Sequence, residues 1–185
     1  MKHTATTIVL LSLLSTALFG FSDLEVKADS ASFITLFGRS ISTRVEAQIN
    51  LHEEFSLMVP LEATFEKGRG EPVFLETGLF LAYHPFVRAA TIYASLVQVG
   101  ILYDRPYEEI STYFLNEVSF GYTFGFPFGL VIEPRLTIKD PNSVFVSDYE
   151  ELKERFTSYP MFRFALYLGW SFDVPKSLSE KRSMR

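Results

Sequence analysis

The stretch Phe162–Phe172 reads Phe-Arg-Phe-Ala-Leu-Tyr-Leu-Gly-Trp-Ser-Phe, and its pattern decides the fold. Every second residue is large and apolar, from Phe162 through Trp170 to Phe172, whereas the residues between them are charged or mostly small. Alternate side chains of a β-strand point to opposite faces. The pattern therefore predicts a strand with one broad apolar face and one lean, polar face.

The same alternation recurs in long segments along the chain. Mostly apolar residues occupy every second position in 41–51, 57–65, 73–83, 114–126 and 130–138, with Asn116 interrupting the fourth segment, and a short strand is predicted at 31–37. Ala89–Tyr103 carries no charge, but it is about five residues too short for a transmembrane helix and rich in β-branched and aromatic residues. We predict a strand there, with Thr91, Tyr93, Ser95, Val97, Val99, Ile101 and Tyr103 facing outward.

The predicted connections alternate in length. Short turns fall near His52, His84 and Pro127, and longer connections span 67–72, 104–112 and 140–159. Short turns at one end and long loops at the other are typical of an outer-membrane barrel. The connection 38–40 is the exception, because it is short where the pattern requires a long one.

The volume of the apolar face indicates which face lies outside. A barrel of about eight strands has an interior just wide enough to be filled by side chains, and the many Phe, Leu, Ile and Tyr residues would not fit there. We therefore predict an all-β fold, an antiparallel up-and-down transmembrane β-barrel of about eight strands. Aromatic residues near the strand ends predict a girdle at the membrane boundary, and its principal members are Tyr83, Phe126, Trp170 and Phe172.

Three regions of the chain are predicted to differ in role. Residues 1–22 resemble a secretory signal peptide, with Lys2 ahead of an apolar run, and cleavage is expected after Ser22 or as late as Ala28. Residues 31–173 form the predicted barrel. Residues 174–185 form a polar, basic tail.

At this point the chain resembles the small eight-stranded outer-membrane barrels, the group that includes OmpA-like, OmpX-like and OmpW-like proteins. The resemblance covers about Ala31 to Asp173 and includes the closing strand, where Phe164, Leu166, Leu168, Trp170 and Phe172 match the assembly signal of such barrels. It implies a location in the bacterial outer membrane, with outer-membrane lipid and the barrel-assembly machinery as partners. The tail after Asp173 departs from the group, whose members often end at the final aromatic residue.

Composition excludes several function classes. A net charge of −5 and a pI of about 5.3 give no basic footprint for nucleic acid. The absence of cysteine removes disulfides, thiolate metal sites and a cysteine nucleophile. His52 and His84 are expected at different turns, so no catalytic constellation is apparent, and we predict no enzyme activity, cofactor or metal site.

Charged residues on the polar face are the candidate functional residues. A charge inside a narrow barrel must pair with an opposite charge, so we predict a lumen charge network made of Arg44, Glu46, Glu62, Glu76, Glu117, Glu133, Arg135 and Arg163. A filled lumen would suit a structural or interaction role. A small ion- or solute-conducting channel remains an alternative, and a secreted soluble β-sandwich or ligand-binding β-barrel is a second one.

The long connection 140–159 is a candidate contact for a surface partner. Its residues 147–156 are compatible with a short amphipathic helix, because Leu152 and Phe156 share one face at a spacing of four. Such a helix could pack over the mouth of the barrel or contact a partner outside it.

Overall fold

The computed structural model describes residues 23–30, 40–66, 73–86, 89–104, 109–156, 159 and 161–173. The predicted signal peptide 1–22, the predicted strand 31–37 and the predicted tail 174–185 lie outside the described residues. The alternating segments form these strands: β1 Asp23–Asp29, β2 Ser40–Asn50, β3 Phe55–Glu66, β4 Val73–Phe86, β5 Ala90–Asp104, β6 Glu109–Leu115, β7 Glu117–Tyr122, β8 Phe124–Gly125, β9 Leu130–Lys139 and β10 Phe162–Asp173.

Antiparallel pairing in chain order closes the sheet into a barrel. β10 pairs with β9 on one side and with β1 on the other, so the first and last strands are neighbours. β6 and β7 both pair with β5, and β7 and β8 both pair with β9, which makes these three segments one strand interrupted at Asn116 and Thr123. The barrel therefore has eight strands, and the predicted all-β antiparallel architecture is confirmed.

The first strand lies earlier in the chain than predicted. β1 occupies Asp23–Asp29, so the barrel begins before residue 31. Its lumen-facing positions Glu25, Lys27 and Asp29 are all charged, which gives this short strand a polar composition that conceals its alternation. The connection from β1 to β2 runs from residue 30 to residue 39, which removes the exception at 38–40. The predicted long connection 104–112 is in contrast reduced to 105–108, because β5 and β6 extend into it. Cleavage after Ala28 would divide β1, whereas cleavage after Ser22 would leave it whole.

A β-bulge in β5 reverses the predicted orientation of its first half. Leu79 pairs with Val97 and Phe80 pairs with Ser95, which leaves Leu96 as an extra residue without a partner. Leu96 and Val97 are consequently both exposed on the outer surface. Because a bulge shifts the alternation by one residue, the prediction that Thr91 and Tyr93 face outward is wrong, and both are buried inside. Ser95, at the bulge, is half-buried.

The outer surface carries the apolar side chains, as the volume argument requires. Leu61, Leu136, Phe164 and Leu168 are among the exposed large hydrophobic residues, while the intervening positions are buried. The four predicted girdle residues, Tyr83, Phe126, Trp170 and Phe172, are all exposed. They lie near the end of the barrel that carries the short turns.

Among the described residues, one α-helix accompanies the barrel. Helix α1, Val146–Arg155, lies in the connection between β9 and β10, and a single 3₁₀ turn, Pro127–Gly129, joins β8 to β9. In the part of the chain that the structure describes, no helix is both long and apolar enough to cross a bilayer.

Candidate functional site

The lumen brings all eight predicted charged residues together. Arg44, Glu46, Glu62, Glu76, Glu117, Glu133 and Arg135 are buried, and the Arg163 side chain is 13% exposed. The residues come from β2, β3, β4, β7, β9 and β10, so the network joins strands around the barrel. The lumen also contains members that the sequence analysis did not name as sites, notably Lys27, Asp29, Tyr93 and Gln98.

Lys27 contacts several polar groups at the end of the lumen that carries the short turns. Its Nζ atom donates hydrogen bonds to Glu133 Oε2 at 2.7 Å and to Gln48 Oε1 at 3.0 Å. The Glu25 carboxylate lies 3.2 Å from the same nitrogen, nearer the mouth. Tyr93 OH adds a hydrogen bond of 3.0 Å to Glu133 Oε2. Lys27 is therefore shared between two carboxylates, as a buried cation requires.

Arg135 lies between two aromatic rings in the middle of the lumen. Its guanidinium carbon is 4.0 Å from the ring centre of Tyr93 and 4.1 Å from that of Tyr167. In the plane of the guanidinium group, Nε donates to Glu133 Oε1 and Nη1 donates to Glu46 Oε1, both at 2.7 Å. The planar fork of arginine allows stacking and hydrogen bonding at the same time, which the ammonium group of lysine cannot do.

Arg44 extends the network on the other side of Glu46. Its Nε donates to Glu46 Oε1 at 2.9 Å, while Nη2 and Nη1 contact the two oxygens of Glu117 at 2.6 and 3.2 Å. Glu62 lies 3.5 Å from Arg44 Nη1 and accepts a hydrogen bond of 2.7 Å from Arg163 Nη1. Arg163 also pairs with Asp29 of β1. Glu62 and Asp29 are therefore the carboxylates that Arg163 contacts in the lumen.

Gln98 joins this part of the network to the long-loop end. Its Nε2 atom donates to Glu76 Oε1 at 2.6 Å and contacts Glu117 Oε2 at 3.4 Å. Glu76 Oε2 accepts from Lys139 Nζ at 3.1 Å and from Tyr159 OH at 2.9 Å. An unbroken series of polar contacts thus runs along the lumen from Glu25 to Tyr159.

The network carries an excess of negative charge. Within the described residues it joins seven carboxylates to five cations, an excess of two if every group is ionised: Glu25, Asp29, Glu46, Glu62, Glu76, Glu117 and Glu133 against Lys27, Arg44, Arg135, Lys139 and Arg163. The lumen is therefore filled by paired charges yet remains acidic.

Helix α1 covers the polar network at the long-loop end. Tyr149, Leu152 and Phe156 are buried in a cluster with Phe74, Leu102, Tyr113, Leu115 and Tyr159. Tyr149 OH donates to the Asn116 carbonyl at 2.6 Å, and Tyr113 OH donates to Glu151 Oε1 at 2.8 Å. Burial raises the pKa of Tyr149 and of Tyr159, so both hydroxyls stay protonated and act as donors.

The two described histidines differ in their surroundings. The expectation that His84 is a turn residue is wrong: it lies within β4, buried, with Nε2 2.7 Å from Ser56 Oγ and Nδ1 2.9 Å from Thr91 Oγ1. Ser56 is fully buried, and the two described side-chain contacts of the imidazole are both to hydroxyl groups. His52 lies in the exposed turn 51–54, whose Glu54 carbonyl accepts a hydrogen bond from His84 N at 2.8 Å.

Among the residues whose placement is described, no three His, Asp or Glu side chains form a group able to hold a metal ion.

Substitution of Leu152 tests whether α1 is held on the barrel by its apolar face. Leu152→Ala is expected to weaken the docking of α1 by about 2–5 kcal/mol, because a fully buried leucine leaves a cavity. Trypsin cleavage after Lys153 and Arg155, followed by mass spectrometry, should become much faster. Glu150→Ala is the matched control, since Glu150 is exposed on the same helix. Equal cleavage rates in both variants would show that packing of Leu152 does not hold the helix.

Two solved structures are similar to this chain. The first is the N-terminal β-barrel domain of Pseudomonas aeruginosa OprF, at 8% identity and a TM-score of 0.50, with 82% of this chain and 98% of that chain covered. The second is the Yersinia pestis outer-membrane protein Ail in a phospholipid bilayer nanodisc, at 10% identity and a TM-score of 0.49, with 82% and 99% covered.

Sequence comparisons find no relative of this chain. No protein-family profile matches the chain, and no curated protein sequence matches it either. The classification therefore rests on the closed barrel of eight antiparallel strands, its apolar outer surface and the likeness to the OprF domain. This chain has the fold of a small outer-membrane β-barrel protein.

Proposed function

We propose that the chain is an integral protein of the bacterial outer membrane with a lumen closed by its own side chains, and that its role is structural or interactive. The apolar outer surface supports outer-membrane lipid as a partner, because exposed rows of Leu, Val and Phe are stabilised by hydrocarbon and not by water. The barrel-assembly machinery is the partner proposed for insertion of such a barrel.

The filled lumen is the observation that carries this proposal. Ion pairs and hydrogen bonds connect Glu25 near one end to Tyr159 near the other, and α1 packs over the far end. A solute crossing the barrel would have to separate buried charge pairs, and loss of one partner of such a pair costs about 3–5 kcal/mol. The arrangement therefore favours a plugged barrel over an open pore.

The outer face of α1 is the proposed contact for a surface partner in the connection 140–159. Glu150, Lys153 and Glu154 are exposed there, whereas Tyr149 and Leu152 face the barrel. A partner would consequently meet a charged helical surface of mixed sign, held rigidly by the apolar cluster beneath it.

Conductance in planar lipid bilayers tests the plugged lumen. We expect the wild-type barrel to give no ion-current steps, although the same preparation should show the heat-modifiable gel mobility of a folded barrel. That mobility is the control for folding and insertion. Regular current steps from the wild type would refute the plug.

A small cation-selective channel is the second candidate, and the excess of carboxylates in the lumen favours it. If the wild type conducts, Glu117→Ala should lower its selectivity for cations, because Glu117 lies in the middle of the network. Unchanged selectivity would place the current outside the lumen.

A further inference from the structure

The segment 125–129, called the Phe128 turn below, joins β8 to β9 and has the uncharged sequence Gly-Phe-Pro-Phe-Gly. Phe128 is 89% exposed, the largest value among the exposed large hydrophobic residues of the described chain. Its backbone is left-handed, with a φ of 71°, a conformation that residues with a bulky side chain rarely adopt. The exposed ring and the strained backbone are both unfavourable in water. The turn therefore fits an apolar environment outside the barrel.

Close packing holds the Phe128 turn against the outward-facing side of the rim. Trp170 is exposed on the outer surface, and its register partner in β9 is Leu130, which is exposed as well. A Cβ atom at Gly129 would lie 2.9 Å from Trp170 Nε1 and 2.5 Å from the Ser171 carbonyl oxygen, so only glycine fits there. The turn therefore lies beside the outward-facing indole, at the end of the apolar surface of β9 and β10.

A second short turn, 51–54, lies on the opposite side of the barrel. It joins β2 to β3, and four strands separate it from the Phe128 turn in either direction around the closed sheet. Leu51 N donates to the Phe55 carbonyl at 3.0 Å, and both of these apolar residues are exposed. The other residues of this acidic turn are polar and exposed: His52, Glu53 and Glu54. The short-turn end of the barrel is therefore apolar on one side and acidic on the opposite side.

We propose that the Phe128 turn inserts into the phospholipid boundary at the short-turn end while the acidic turn stays in water, so that the barrel is tilted in the bilayer. This inference rests on the proposed membrane location. Aromatic rings are favoured at the lipid–water boundary, whereas an ionised carboxylate loses its hydration there. Because interfacial anchors set the tilt of a membrane-spanning structure, the barrel sinks deeper on its apolar side. Phospholipid is the occupant that fits, since the Phe128 turn continues the apolar outer surface at Leu130 and Trp170.

Quenching of tryptophan fluorescence by brominated phospholipids measures the depth of each turn. The full chain carries Trp170→Phe, which removes its single tryptophan, together with either Phe128→Trp or Glu53→Trp, and is folded in phospholipid vesicles. With bromine near the glycerol end of the acyl chains, we expect quenching to be at least about threefold stronger at position 128 than at position 53. The acidic turn keeps its other polar residues in this matched variant. Leu61→Trp in the same background reports membrane insertion, because Leu61 is exposed on the outer surface of β3.

Two results would overturn the tilt while leaving the membrane location intact. One is equal quenching at positions 128 and 53 in a barrel whose Leu61→Trp variant is quenched by lipid. The other is a tryptophan at position 128 that lipid does not quench but that is shielded from iodide in water, which would assign the Phe128 turn to a contact with protein. An unquenched Leu61→Trp variant would instead refute the membrane location itself, and the tilt with it. Heat-modifiable gel mobility verifies that each variant is folded.

Discussion

Replacement of Arg135 by Met is expected to lower the free energy of unfolding by about 3–5 kcal/mol. The guanidinium group bridges Glu46 and Glu133 and stacks between Tyr93 and Tyr167, so its removal leaves buried carboxylates with less compensation. Urea-induced unfolding in phospholipid vesicles measures the change, and the fluorescence of Trp170, the single tryptophan, reports it.

Lys153→Met is the control for this prediction, because it removes a cation from the exposed face of α1. Its effect should stay within about 0.5 kcal/mol. Arg135→Lys separates charge from geometry: lysine keeps the charge but loses the stacked, planar fork, so a large part of the loss should remain. A loss below about 1 kcal/mol for Arg135→Met would show that Arg135 is not a main contributor to the stability of the barrel.

Leu61→Arg is expected to lower the free energy of unfolding in lipid by about 2–4 kcal/mol, because an arginine near the bilayer midplane loses its hydration. Leu61 lies well inside β3, opposite Val45 and Thr77, and is 59% exposed on the outer face. The same unfolding experiment in vesicles measures the loss.

Val144→Arg is a closely matched control, since Val144 is 61% exposed but lies in the connection before α1. Its effect should be near zero. The pair also separates a membrane barrel from a secreted soluble β-protein, in which both exposed positions would tolerate arginine equally well. Equal, small effects would therefore remove the membrane proposal, whatever the lumen contains.

The strand pattern was predictable where both faces kept a strict alternation. In β10, Phe164, Leu166 and Leu168 lie outside and Ala165 and Tyr167 lie inside, as a period of two requires. The charged lumen residues were predictable for the same reason, because an inward charge in a narrow barrel needs a partner. Their pairing was not, since it depends on how eight strands meet across the lumen.

Two features were not predicted from the sequence, for physical reasons. β1 is short and charged at its inward positions, so Lys27 and Asp29 were missed although they pair with Glu133 and Arg163. The bulge at Leu96 leaves no trace in hydrophobicity, because Leu96 and Val97 are both apolar. Because of that one extra residue, Tyr93 lies in the lumen, whereas strict alternation would place it on the outer surface.

The ion pairs have a consequence for how the strands find their alignment. A slip of two residues between neighbouring strands keeps every apolar side chain outside, so hydrophobicity cannot reject it. It would, however, separate Lys27 from Glu133 and Asp29 from Arg163, partners that lie 106 and 134 residues apart in the chain. Charges inside the barrel thus discriminate between registers that the lipid-facing side chains accept equally. Since the pairing of Asp29 with Arg163 joins the first strand to the last, that discrimination is complete only when the barrel closes.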